Sequence, residues 1–221
     1  MIDTASHDAP RAAEKPLLRG VSHEIAAFVA LAAWIALALV SPSARARAAA
    51  NVYGASLFTL FAVSALYHRP TWPPRARRWM RRLDHSAIFL LIAGTYTPFC
   101  LVLGGARGEA LLVIAWGGAA LGILQSILWV RAPKPLIAVI YVLLGWVILP
   151  VMPALVARLG PGAIALLGAG GIAYSLGAVV YATRRPDPFP RVFGYHEIFH
   201  ALVVVAAGLH LAVTARALFS L

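Results

Sequence analysis

The amino-acid sequence predicts an all-α integral membrane protein: a seven-transmembrane helix bundle with a cytoplasmic N-terminus. Three observations carry that prediction. Of the 221 residues, 61% are hydrophobic and only 12% are charged, and the mean hydropathy is +0.81, which leaves too little polar surface to cover a water-soluble globule. The apolar residues fall into seven stretches, each near the roughly 20 residues that a helix needs to cross the hydrocarbon. The basic residues lie between those stretches, so the formal charge of +11 points to anionic lipid headgroups rather than nucleic acid.

Residues 1–18 mix Asp3, Asp8, Arg11, Glu14 and Lys15 with prolines and read as a disordered cytoplasmic tail, leaving residues 19–221 as the transmembrane domain. No cleavable signal is expected, because the first apolar stretch is long and lacks a convincing small-residue cleavage site. The expected spans are 22–40, 48–68, 84–103, 109–130, 136–155, 162–183 and 192–218. The first ends at Ser41-Pro42-Ser43 and the second at Arg69-Pro70 and Pro73-Pro74, where proline cannot continue a helix. Arg69, Arg75, Arg77, Arg78, Arg81 and Arg82 then form an acid-free basic loop. Gly104-Gly105 stops the third span, and Arg131-Ala132-Pro133-Lys134-Pro135 makes a basic turn before the fifth. Pro150 and Pro153 predict a kink or early fraying near the end of that fifth span. Glycines at 117, 118 and 122, and at 168, 170, 171 and 177, are small enough to let helices approach closely. The second cluster is no nucleotide loop, since no strand precedes it and no lysine follows. Cys100, the single cysteine, excludes an intrachain disulfide and reads as a small apolar helix residue.

Seven crossings put the termini on opposite faces. With the N-terminus inside, 14 of the 19 basic residues fall inside and only Arg45, Arg47, Arg107, Arg158 and Arg216 fall outside, so the positive-inside rule favours a cytoplasmic N-terminus. That orientation gathers His68, Asp84 and His196 at cytoplasmic helix ends. A four-residue step puts His196 and His200 on one helical face, and likewise Ser64 and His68.

Neutral imidazoles at His68, His196 and His200 would leave the fourth tetrahedral position of a zinc ion to water, the arrangement of a catalytic site. Such a water loses its proton near neutral pH. Asp84 is placed to accept that proton and Ser64 to join the surrounding hydrogen bonds, which together suit hydrolysis of a carbonyl. Each residue also has an ordinary reading: His68 as an interfacial histidine, Asp84 as a helix N-cap, Ser64 as a helix serine. Their gathering at one leaflet favours function, because ionisable groups in apolar segments are costly. His23 and Glu24 reach the same level but read first as interfacial. His85 points away from Asp84, and His210 reads as a satisfied bundle histidine. His196-Glu197-Ile198-Phe199-His200 also matches the zinc metalloprotease pattern, with Glu197 as general base, yet no acidic residue follows Glu197 to complete it.

Ser64-Ala65-Leu66-Tyr67-His68, the run from Leu83-Asp84-His85-Ser86 to Thr97-Pro98-Phe99, and His196-Glu197-Ile198-Phe199-His200 together resemble the hemolysin III proteins of bacteria, which belong with the progestin and adiponectin receptors. The resemblance extends from about Arg19 onward. It implies seven transmembrane helices, a cytoplasmic N-terminus, a location in the bacterial inner membrane, zinc held by His68, His196 and His200, and Ser64 and Asp84 beside the zinc-bound water. Relatives in the wider superfamily include alkaline ceramidases. The leading expectation is therefore a zinc-dependent hydrolase of a ceramide-like or other acyl-lipid amide or ester at the cytoplasmic leaflet. The alternatives are a non-enzymatic regulator or sensor of membrane homeostasis with structural zinc, and a membrane-permeabilising hemolysin. No protein ligand is expected.

Overall fold

A computed structural model describes residues 15–221; of the expected N-terminal tail, residues 1–14 lie outside the described residues. The chain runs α1 (Val21–Val40), α2 (Ala44–His68), α3 (Pro74–Leu103), α4 (Gly105–Leu128), α5 (Lys134–Trp146), a 3-10 turn (Leu149–Val151), α6 (Met152–Leu159), α7 (Pro161–Thr183) and α8 (Tyr195–Leu218). Among the described residues, seven helical segments are long and apolar enough to cross a membrane, with Lys134–Leu159 counting as one. Helices suit hydrocarbon because they satisfy their backbone polar groups internally. Neighbours in sequence pack together from α1 to α4, α7 pairs with α8 and α5, and α8 returns to touch α1, α2 and α3.

The largest departure from expectation lies in the basic segment. The third helix starts at Pro74 rather than Asp84, with proline at the first helical position, where its missing N–H costs nothing. Arg75, Arg77, Arg78, Arg81 and Arg82 therefore stand on helical turns instead of in a loop. The second helix likewise starts at Ala44, where the Ser43 hydroxyl accepts the Ala46 N–H at 3.0 Å, a standard N-cap. Ahead of α1, the Leu17 and Leu18 amides donate to the carbonyls of Arg191 and Val192 at 3.0 and 3.2 Å, so this part of the expected tail is tied to the α7–α8 connection.

The fifth span breaks outright where its prolines predict a disturbance. Tyr96 of α3, 4% exposed, closes the gap: its hydroxyl lies 2.9 and 2.8 Å from the carbonyls of Leu144 and Gly145 and accepts the Ile148 N–H at 3.1 Å. Backbone groups released by the break thus find a partner without water. Of the clustered glycines, Gly122 and Gly170 do admit close packing: a Cβ there would sit 2.2 Å from the Phe89 ring and 2.3 Å from the His210 ring, respectively. Gly117 and Gly168 have no neighbour within 4 Å. Cys100 is buried in α3.

The start of α8 is fixed by two carboxylates. Glu197 Oε2 accepts the Gly194 N–H at 2.9 Å, and Asp187 Oδ1 accepts the Tyr195 N–H at 2.9 Å. The other oxygen of Glu197, a residue only 3% exposed, pairs with the Arg19 guanidinium just ahead of α1.

Two stability predictions follow from these contacts. Tyr96→Phe leaves the groups at the α5 break unsatisfied and should cost about 1–3 kcal/mol, read as a lower Tm in detergent; an unchanged Tm would show that the break does not depend on this hydroxyl. Glu197→Ala strands Arg19 and uncaps α8, and should cost on the order of 3 kcal/mol in the same measurement.

Candidate metal centre and its cavity

Helix ends bring the site together. His68 closes α2, with Ser64 one turn before it; His196 and His200 occupy the first two turns of α8; Asp84 comes from α3. Gly20, at φ +81°, lets the chain ahead of α1 lie directly on α2: a Cβ there would fall 2.8 Å from the His68 Cβ. Both the positive φ and the close approach require glycine at this position.

The three histidines expected as ligands converge. One nitrogen from each of His68, His196 and His200 lies within 4.8 Å of the others, and the Nε2 atoms of His68 and His196 are 3.2 Å apart. Ligand nitrogens on a tetrahedral zinc at about 2.0–2.1 Å would be separated by roughly 3.3 Å, so this pair has nearly the required spacing. His200 is 2% exposed, and its Nδ1 is buried with no hydrogen-bond partner, which an imidazole in a purely structural role would leave as an uncompensated cost. The donor set is all imidazole, and it can hold one metal ion.

A cavity of about 360 Å³ opens onto these histidines and is lined as well by Ser64 and Asp84. That volume lies within the roughly 300–1,000 Å³ of small-molecule sites. Away from these three histidines its wall is mostly apolar, with Leu60, Ile88, Leu91, Ile92, Val142 and Val203, and includes the polar groups of Thr95, Tyr174, Ser175 and His210. Asp84 sits well inside α3, so the N-cap reading does not apply: Pro73 occupies the cap position.

His23 belongs to the site more closely than its sequence position suggests. Its Nδ1 is 2.8 Å from Ser64 Oγ, and its ring stacks on His200 at 3.9 Å with 9° between the planes. A lone histidine near a helix start carries no such signal; the stack forms only once α1 packs beside α8. His85 also lines the cavity. His210 behaves as a bundle histidine through Nε2, 3.1 Å from the Leu167 carbonyl, although its Nδ1 is without a partner.

Glu197 does not take the place a metalloprotease base would need. It is turned toward Gly194 and Arg19 and does not border the cavity. Neighbouring residues on a helix point about 100° apart, so with His196 and His200 facing inward Glu197 faces the helix cap.

Over residues 11–211 the chain matches the family model described as Haemolysin-III related. It is 36% identical to Hemolysin-3 of Bacillus cereus over 195 residues, covering 86% of each chain. It is 37% identical to the Hemolysin-3 homolog of Bacillus subtilis (strain 168) over 155 residues, 70% of each. More distantly, it is 30% identical to the adiponectin receptor protein of Drosophila melanogaster over 152 residues, 60% of this chain and 34% of that one. Together with seven apolar helices, these relatives mark a multi-pass protein of the bacterial inner membrane. The chain belongs to the hemolysin III family, within the progestin and adiponectin receptor superfamily.

Proposed function

We propose that the protein is a zinc-dependent hydrolase of an acyl-lipid amide or ester, ceramide-like in its bond type, working at the cytoplasmic leaflet with the N-terminus inside. The observation that carries this reading is the convergence of three imidazoles within 4.8 Å on a cavity shared with one carboxylate and an apolar wall. The predominance of basic residues on the side of the His68 and His196 helix ends supports the orientation.

His68, His196 and His200 would hold the ion. Zinc so held supplies Lewis acidity and a water that ionises near neutral pH. The protein's own groups do the rest. The apolar wall takes up the acyl chain, so the carbonyl stays near the helix ends, at the depth where lipid amide and ester bonds lie. Asp84 accepts the proton of the attacking water at its carboxylate, the water oxygen bonds to the carbonyl carbon, and the C–N or C–O bond breaks. Asp84 then returns the proton to the departing amine or alcohol. Ser64, hydrogen-bonded to His23, offers a hydroxyl beside the reacting carbonyl, and the His23 stack on His200 limits rotation of that ligand ring.

His68→Ala should lose both the metal, by elemental analysis of purified protein, and hydrolysis, by mass spectrometry of a lipid extract incubated with it. Asp84→Asn should keep the metal and lower turnover about 10²–10⁴-fold. Turnover unchanged in Asp84→Asn would remove Asp84 from the proton transfer, whereas bound metal with no hydrolysis by the unaltered protein would leave an ion that merely ties α2 to α8. For the orientation, alkaline phosphatase fused after Leu221 should be active, as it is only when exported; an inactive fusion at normal expression would reverse the topology.

A further inference from the structure

The mouth of the cavity carries more positive charge than its surroundings neutralise. Arg19, Arg77, Arg81 and Lys134 line it, against Asp84 as the one carboxylate among the described residues that do so. Arg19 is paired with Glu197. Among the described residues, Arg77, Arg81 and Lys134 have no carboxylate within 4.0 Å. On α3, Arg77, Arg81, Asp84 and Ile88 follow the three- and four-residue steps of one helical face, so these two arginines face the cavity. Arg75 and Arg78, exposed as Arg77 is, do not border it.

Aromatic rings hold Arg77 and Lys134 without discharging them. Lys134 Nζ stands over the rings of Tyr181 and Tyr195, 4.6 and 5.3 Å from their centroids, and 3.2 Å from the Tyr195 hydroxyl. The Arg77 guanidinium lies 5.8 Å from the centre of the Tyr67 ring. Cation–π contacts orient a charge and leave it available to an anion. In addition, the basic turns open α3 with no acidic residue in the first turn, where the helix dipole already favours negative charge. A cationic rim above an apolar wall is complementary to a molecule with an anionic head and a hydrocarbon tail.

We propose that the cavity selects an acyl lipid with an anionic headgroup, the head gripped by Arg77, Arg81 and Lys134 and the chain lying against Leu60, Leu91 and Val142. This names the substrate class of the hydrolase reading and rests on it, but selection of the lipid is a binding property that can be measured without turnover.

The test uses full-length, metal-loaded protein in neutral detergent, with native mass spectrometry counting bound lipid in titrations of phosphatidylglycerol and of phosphatidylcholine with identical acyl chains. Phosphatidylglycerol should bind about tenfold more tightly, the worth of one charge-assisted contact. Lys134→Gln and Arg81→Gln should each remove most of that preference, whereas Arg75→Gln and Arg78→Gln should keep it. Glycerol phosphate alone should not displace the lipid, separating an anchored headgroup from a free-phosphate site. Equal binding of the two lipids, displacement by glycerol phosphate, or equal losses from the exposed and cavity-facing arginine variants would each overturn the proposal. Asp84→Asn should retain the preference. If the preference holds while no lipid is hydrolysed, only the hydrolase reading fails; if a neutral lipid is hydrolysed without any preference, only this proposal fails.

Discussion

One carboxylate ties the cavity end of the bundle together. Glu197 caps the first turn of α8 and pairs with Arg19 ahead of α1, so the helix that carries His196 and His200 has its starting point and its rotation set against the helix that carries His23. The backbone bonds from Leu17 and Leu18 to the α7–α8 connection act in the same direction. Three imidazoles on two distant helices can face one point only if those helix ends are held to within a fraction of a side chain's length. The ion pair beside the candidate metal centre therefore helps to hold its three imidazoles together. In a medium where burying an unpaired charge is costly, this arrangement is also self-reinforcing: neither partner can leave without stranding the other.

The same economy of polar groups runs through the rest of the bundle. Where α5 breaks, the Tyr96 hydroxyl serves two carbonyls and an amide at once. Two of the buried polar atoms without a partner, His23 Nε2 and His200 Nδ1, lie at the histidine cluster, while Tyr53, Ser86, Gln125, His210 and Thr214 each carry another. The open nitrogens of His23 and His200 leave bonding capacity beside the cavity that both residues line. The cavity lining combines cations, histidines and one carboxylate with a larger apolar part.

The helices were legible because apolar stretches of membrane-crossing length have few alternatives. Their ends were less so. Hydropathy stops at the first cluster of charge, so the arginines between Pro74 and Asp84 read as a loop, whereas the backbone continues as helix through them because arginine is a good helix former and its long side chain reaches polar surroundings. The break in the fifth span was foreshadowed by Pro150 and Pro153, but its repair by Tyr96 was not, since nothing local links residues so far apart in the chain.

What the sequence determined by itself was the set of crossings, the clustering of basic residues on alternate connections, and the helical spacing that aligns His196 with His200 and Ser64 with His68. These are properties of one helix or one connection, dictated by local geometry and by the solvent that each segment must face. The meeting of His68 with the α8 pair is expected from their shared membrane face and is found in the fold. Only the tertiary structure decided that His23 stacks on His200 instead of staying an interfacial residue, and that Glu197 turns to a helix cap rather than the cavity. Those outcomes depend on how helices rotate about their axes and how closely their ends approach, and that is set by packing between segments that no sequence period records.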